Sequence, residues 1–556
     1  MGDVDTIITG GSVFTAGWGA PRRAAVAVGG ERIVAVGSDE AMAELAGPGT
    51  QRIDIAGRLL VPGFIDAHVH PVMAGVALLR CSLHEARSAA DCLDIIGKYA
   101  AAHPDLPWIV GSGWSMAFFP GGTPTRQMLD AVVGDRPVFL SNRDGHGAWV
   151  NTEALRRAGL DESSPDPVDG RIEREPGGYP AGTLHEGAAD IVERLVPPVA
   201  AEQQVSGLLL AQQVLFSKGI TSWQDAAVGE VFGATDLLST YLKAARAGHL
   251  KARVVAALWW DRARGIEQLP DLLDRRAEAG GAAGVGRLRA TAVKIMQDGV
   301  AENFTAGMVE PYLDDTGCPT DNSGLSFVDP VALREYVTRL DAAGFQVHFH
   351  ALGDRAVREA LDAIEAARAA NGPAGAVGNR HHLAHLQLVN PADILRFAAL
   401  GASATIQPLW GAHEPQMDEL TIPFLGPERA ALQYPFGDLL RAGAHLAAGS
   451  DWSVSSPHPL EGIHVAVTRQ SPEAADRSEP FYPHNALPLA QAMTAYTAGS
   501  AYVNHAESSL GEITAGRLAD LVILDRDPFA GPPDEIGATQ VWRTYVGGEL
   551  VFDAAG

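Results

Sequence analysis

The sequence predicts an α/β protein: a (β/α)8 TIM-like barrel with a small β-sandwich formed by the N- and C-terminal segments and a large insertion after barrel strand 1. Three observations lead there. Strand-like apolar segments alternate with helical stretches through the middle of the 556 residues, the order a parallel barrel requires. Four of those segments finish in histidine or aspartate at what would be one end of the barrel. Short strands at the two ends of the chain resemble one another, and neither set alone could cover its apolar face.

Taken in order, the amino-terminal segment supplies Thr6-Ile-Ile-Thr9, Ala24-Val-Ala-Val28, Arg32-Ile-Val-Ala-Val36 and Arg52-Ile-Asp-Ile55, punctuated by Gly29-Gly30 and Gly37. The barrel strands follow. The first is Val61-Pro-Gly-Phe-Ile-Asp-Ala-His-Val-His70, the second Gly219-Ile-Thr-Ser-Trp-Gln-Asp225, the third Lys251-Ala-Arg-Val-Val-Ala-Ala-Leu258 and the fourth Leu288-Arg-Ala-Thr-Ala-Val-Lys-Ile295. Gln346-Val-His-Phe-His350, His381-His-Leu-Ala-His385, Ala402-Ser-Ala-Thr-Ile-Gln407 and Ala444-His-Leu-Ala-Ala-Gly-Ser-Asp451 complete the eight. Asp520-Leu-Val-Ile-Leu524, Gln540-Val-Trp-Arg-Thr-Tyr-Val546 and Glu549-Leu-Val-Phe552 close the chain, with Gly547-Gly548 as a hairpin turn.

The gap between strands one and two is several times the usual crossover and must hold an insertion. The expected domains are therefore a β-sandwich from residues 1–60 and 500–556, and a barrel over 61–499. An insertion over about 75–210 follows a strand whose end bears ligands, so it covers the active site.

Charge and composition narrow the function. The formal net charge is −25, and no basic stripe with interleaved aromatics is present, which argues against nucleic acid as a partner. Three cysteines, Cys81, Cys92 and Cys318, resemble neither a disulfide framework nor a thiolate metal site and favour a reducing compartment. No apolar run reaches the roughly 20 residues that span a bilayer, and the amino terminus shows no basic segment followed by an apolar core. A cytoplasmic protein acting on a small molecule without a membrane partner is expected; homodimerisation is open.

The chemistry is carried by histidines. Side chains on a strand alternate faces, so His68 and His70 project to one side and can share an ion. Parallel strands would bring them to one end of the barrel with His350, His385 and Asp451. Imidazole with carboxylate suits zinc, manganese or iron better than calcium. By the same alternation His348 faces the barrel interior behind His350, His381 shares the face of His385, and His382 turns away. His445 begins its strand and is structural.

Several longer motifs run in order along the chain: Pro62-Gly-Phe-Ile-Asp-Ala-His-Val-His70, Asp144-Gly-His-Gly-Ala-Trp-Val-Asn151, Val293-Lys-Ile-Met-Gln-Asp-Gly299, His350-Ala-Leu-Gly-Asp-Arg-Ala356, Gly449-Ser-Asp-Trp452 and Gly511-Glu-Ile-Thr-Ala-Gly-Arg-Leu-Ala-Asp-Leu521. With them the chain resembles the amidohydrolase superfamily, in the metal-dependent hydrolase branch that includes N-substituted formamide deformylases. The resemblance implies two divalent ions, zinc first, with manganese or iron as alternatives. His68 and His70 would hold one, His350 and His385 the other, with Asp451 beside the first. Lys294 would bridge them as a carbamate formed with carbon dioxide. Its place in the apolar run Ala292-Val-Lys-Ile-Met296 is compatible, because desolvation favours the neutral amine that reacts. The competing reading of Lys294 is a lysine paired with a carboxylate such as Asp298.

The activity implied is hydrolysis of a non-peptide carbon–nitrogen bond of a small amide, an N-substituted formamide being the most concrete case. Metal-activated water attacks, and Asp451 takes its proton and delivers it to the amine. His146 would bind the carbonyl or the oxyanion. Trp114, Phe118, Phe119, Glu186, Trp223, Trp410 and Trp452 are the expected substrate-binding residues, on the ground that each lies near a strand end or in the insertion. The alternatives are a mononuclear deaminase or a hydrolase of cyclic amides, carbamates or esters, and a scaffold without chemistry, against which the complete ligand set argues.

Overall fold

The structure, a computed structural model, describes residues 4–231, 233–281, 286–473 and 479–555. Eight parallel strands form one nearly closed sheet in chain order: Phe64–Val69, Ile220–Val228, Arg253–Trp259, Leu288–Met296, Gln346–Ala351, His382–His385, Ser403–Ile406 and His445–Ala448. These are the eight expected strands, and they share one physical trait. A parallel sheet with helices on its outer face is buried on both sides, so its strands read as apolar runs rather than alternating patterns. Ile220–Val228 and Gln346–Ala351 are buried at every position.

The surrounding helices bury one stripe each. Asp354–Asn371 turns Ala356, Val357, Ala360, Leu361, Ile364 and Ala367 inward, a spacing of three and four residues that matches the helical repeat. Their starts are written in the sequence. Asp329 accepts hydrogen bonds from Val331 N and Ala332 N ahead of Pro330 at the first helical position, and Asn390 caps Pro391–Leu400 in the same manner.

The seam between strands eight and one is stitched at the mouth. Asp451 N donates to His68 O at 2.8 Å and His70 N to Trp452 O at 3.0 Å, so the same hydrogen bonds that close the barrel set the expected ligands side by side. Gly449 makes the approach possible, since a Cβ there would lie 2.6 Å from His68 N and 2.8 Å from His68 Cβ. Both obstacles belong to a buried strand that cannot yield. Gly449→Ala is therefore expected to weaken the fold by about 1–3 kcal/mol and metal affinity by about 10- to 100-fold, read by thermal melting and chelator competition.

The chain ends build two sheets. One takes Arg32–Gly37, Ala25–Gly29, Thr6–Thr9 and Gln51–Asp54; the other runs Glu549–Asp553, Val541–Val546, Leu521–Leu524, Leu59–Pro62, Ser12–Val13 and Arg22–Arg23. Ile8, Val26, Ile53, Leu60, Ile523 and Tyr545 pack in one core that draws on both sheets. The expected boundary at residue 500 falls early. Ser500–Val503 is a helix under the barrel, where Ser500 Oγ donates to Ala448 O at 3.1 Å.

Residues 81–186 form a six-stranded mixed sheet ordered Gly170–Arg174, Pro180–Glu186, Gly147–Val150, Val138–Asn142, Ile109–Trp114, Cys81–Ser82. Each of its faces has its own core. Val138 and Leu140 join Trp114 and Trp149 on one side, while Phe139 joins Val150 and Leu184 on the other, the two-residue alternation of a strand. Helix Ala201–Ser217, which begins inside the expected span of the insertion, packs instead on Pro71–Leu78 as a barrel helix. Among the described residues no helix is long and apolar enough to cross a membrane.

Candidate metal centre

The barrel mouth gathers the expected ligands. Asp451 Oδ1 lies 3.0 Å from His70 Nε2 and 3.3 Å from His68 Nε2, and Asp451 Oδ2 lies 3.9 Å from His385 Nδ1. The rings of His350 and His385 meet edge to face at 4.6 Å between centroids. Lys294, 2% exposed, sits on the fourth strand in register with His348.

The tightest group among the described residues is His68, His385 and Asp451, whose donor atoms all lie within 4.8 Å of one another. It crosses the partition that the resemblance implies, which sets His385 with His350.

The fit to a metal shows in atoms without partners. Lys294 Nζ, His385 Nδ1, His70 Nδ1 and Asp451 Oδ1 are buried with no hydrogen-bond partner among the described residues. Two imidazoles approach Asp451 Oδ1 closely, but not along hydrogen-bonding directions. A buried polar group left unpaired costs about 1–3 kcal/mol, so several such groups lining one cavity fit a site that holds an ion. Lys294 forms no ion pair with Asp298. The Asp298 carboxylate accepts instead from Gly307 N, Leu352 N and Gly353 N at 2.9, 3.1 and 2.8 Å and lies 3.2 Å from His350 Nδ1. His350 Nδ1–H thus donates to Asp298, and Nε2 is left for a metal.

The backbone is strained where ligands leave their strands. His385, Leu386 and Asp451 have φ of 79°, 53° and 54°, left-handed values that cost non-glycine residues about 1–3 kcal/mol each. This corrects the alternation argument for the sixth strand. His382 faces the interior, with Nε2 2.9 Å from Gln224 Oε1, and His381 faces outward to Asp341 at 3.0 Å. His385 reaches the centre by its left-handed turn and not by strand parity. His348 lies inside the barrel behind the ligands, 2.8 Å from His68 Nδ1, and His445 Nε2 donates to Gly499 O at 3.1 Å beneath the barrel.

Burial sets the charge states. Desolvation, with the Lys294 charge adding to it, pushes His68 down to about 3, and burial holds His350 and His385 well below the imidazole range. All three present lone pairs. Burial pushes Lys294 down to about 7 against the pull of Asp451. Burial alone would raise Asp451, but His68 and His70 beside it hold its carboxyl well below the usual range.

A cavity opens from this centre into the insertion. Eight of the expected residues line it: His68, His70, His146, Lys294, His350, His385, Trp410 and Asp451. Trp410 stacks on His385 at 5.1 Å with 2° between the planes, and its Nε1 donates to Ser455 Oγ at 3.2 Å. His146 Nδ1 is 3.0 Å from Glu186 Oε2, and its ring is 5.3 Å from that of His350. Thr305 Oγ1 donates to Glu186 Oε1 at 2.7 Å. Burial would lower His146, but the Glu186 charge outweighs it and raises the ring to about 9.

Five of the expected aromatic residues do not line this cavity. Trp114 and Phe119 are buried in the core of the insertion, and Phe118 packs half-buried against it. Trp223 points outward to helix Leu237–Arg246, its Nε1 donating to Tyr241 Oη at 3.3 Å. Trp452 serves through its carbonyl rather than its ring. Phe139 and Trp259 line the cavity instead. Trp259 was discoverable: it ends the third strand, in register with Lys294.

The amidohydrolase family model matches residues 51–552. Protein LONG AFTER FAR-RED 3 of Arabidopsis thaliana is 30% identical, over 99% of this chain and 91% of its own length. An N-substituted formamide deformylase of Arthrobacter pascens is 28% identical over 96% of this chain and 95% of its own. The crystal structure of an uncharacterized metal-dependent hydrolase from Pyrococcus furiosus superposes with a TM-score of 0.69 at 26% identity, covering 94% of this chain and 99% of that one.

Proposed function

The chain belongs to the amidohydrolase family, and we propose from that premise that it hydrolyses the carbon–nitrogen bond of a small amide, with an N-substituted formamide as the first substrate class to test. On this reading His68, His70, His350, His385 and Asp451 would hold two divalent ions, zinc before manganese or iron, and Lys294 would join them as a carbamate. The observation that carries this reading is Lys294 Nζ, buried without a partner among four histidines and an aspartate. An amine there is a poor metal ligand; its carbamate is a bidentate one.

When bound, divalent metal supplies a Lewis acid for the carbonyl and lowers the pKa of water toward neutrality. The protein does the rest. Asp451 accepts the proton of the attacking water and passes it to the amine nitrogen, which is otherwise a poor leaving group. His146, held as a cation by Glu186, turns its free Nε2–H toward the oxygen on which negative charge develops. Trp410 and Phe139 offer apolar walls to the amine substituent.

Metal content per chain after growth with bicarbonate and zinc, with intact mass measured without acid, tests the centre. Two metals plus the mass of one carbon dioxide support it and justify a formamide screen. One metal on an unmodified lysine moves the reading to a mononuclear deaminase-like centre, which the tight grouping of His68, His385 and Asp451 favours. No metal after reconstitution sinks both. His146→Gln is expected to lower kcat by about 100- to 1,000-fold at unchanged metal content, as assayed on the amide found in the screen.

A further inference from the structure

Behind the ligands a chain of buried hydrogen bonds crosses the barrel, and its direction is fixed from one end. Gln346 Nε2 donates to two main-chain carbonyls, Arg380 O and Val503 O, both at 2.8 Å. Carbonyls only accept, so the Gln346 amide can present only its oxygen to Gln224. Gln224 Nε2 therefore donates to Gln346 Oε1 at 3.0 Å, and to Asn504 Oδ1 at 3.1 Å. Both amide hydrogens are used, and Gln224 Oε1 is left facing the histidines.

That oxygen is 2.6 Å from His348 Nδ1 and 2.9 Å from His382 Nε2. Each nitrogen must carry its hydrogen to donate there. His382 Nδ1 then accepts from Thr405 Oγ1 at 2.7 Å. His348 Nε2 keeps its lone pair and accepts from His68 Nδ1–H at 2.8 Å. With the hydrogen of His68 on Nδ1, its Nε2 lone pair is directed at the centre, beside Asp451 at 3.3 Å. Gln224, His348 and His382 are each 0% exposed, so no water competes for these roles.

We propose that Gln224 is a positioning residue for the metal centre: by accepting from His348 and His382 together it locks His68 in the one tautomer that can bind metal through Nε2. The role of His68 as a ligand rests on the metal-centre reading above; the tautomer itself does not. Without the Gln224 oxygen, His348 is free to carry its hydrogen on Nε2. His68 Nδ1 must then accept, and its hydrogen moves to the nitrogen that faces the metal.

The experiment compares wild type with Gln224→Leu, labelled with 15N at histidine and studied metal-free, with His68→Asn identifying the His68 signals. Zinc affinity is measured in parallel by chelator competition. The expected result is a hydrogen on His68 Nδ1 in wild type, a shift of it to Nε2 in Gln224→Leu, and zinc affinity weaker by about 10- to 100-fold. A folded Gln224→Leu with the His68 hydrogen still on Nδ1 and unchanged zinc affinity overturns the proposal. If Gln224→Leu does not fold, His348→Leu, which takes from His68 the acceptor that Gln224 orients, is judged by the same two readouts. Wild type that binds no zinc would defeat the metal-centre reading, while the metal-free spectra would still decide whether Gln224 sets the tautomer.

Discussion

Asp451→Asn is expected to keep its metal and to lose about 100- to 10,000-fold in kcat, the range for removing a general acid–base group. The side chain is nearly isosteric, and the main chain is held independently by Asp451 N on His68 O at 2.8 Å and by Val454 N on Asp451 O at 2.7 Å. The side-chain carbonyl oxygen of the variant would keep one donor toward the centre. What an amide cannot do is accept the proton of water and release it to an amine. Metal content near that of wild type with turnover abolished supports the assignment. Retained turnover would remove Asp451 from the proton path, and lost metal would make it a structural ligand first.

The architecture was legible because parallel strands leave a simple mark. Burial on both faces gives continuous apolar runs, and eight such runs, five of them ending in or near His, Lys or Asp ligands, admit few other topologies. His68 and His70 were placed by alternation, and both meet Asp451 although the pairing of the first strand with the second shifts register between Asp66 and Val69. His385 joins His68 and Asp451 by a route that alternation does not give. Its φ of 79° departs from strand geometry, and no residue type in His381-His-Leu-Ala-His385 announces that turn.

The aromatic residues show a different limit. Trp223 and Gln224 are neighbours on one strand, and which of them faces inward depends on register, not on proximity to the strand end. Asp298 and Gln224 act through partners 52 and 124 residues away. Pairings at that range come from topology, and a sequence read locally cannot supply them.

If the proposed two-metal centre is right, Lys294→Met separates the two states of the protein, stabilising the metal-free form while reducing the bound metal from two ions per chain to one. In the metal-free protein the amine has no hydrogen-bond partner, and burial holds it at about 7 against an ordinary value of 10.5. Between those values the unfolded chain binds a proton there that the folded chain does not. Stability therefore rises with pH across the window, and the penalty is fully developed below about 7. Methionine fills similar volume with no charge to desolvate. Its gain in melting temperature should be largest at or below pH 7 and fade toward 10.5. The metal-bound form should respond the other way, since a thioether cannot take up carbon dioxide and offers little to a hard divalent ion. Melting curves with and without zinc, run from about pH 6.5 to about 9.5 to span most of that window, measure both effects on one sample. A variant that binds two metals as tightly as wild type would show that the lysine bridges nothing, and a metal-free form no more stable than wild type would mean that folding does not lower the pKa of this amine.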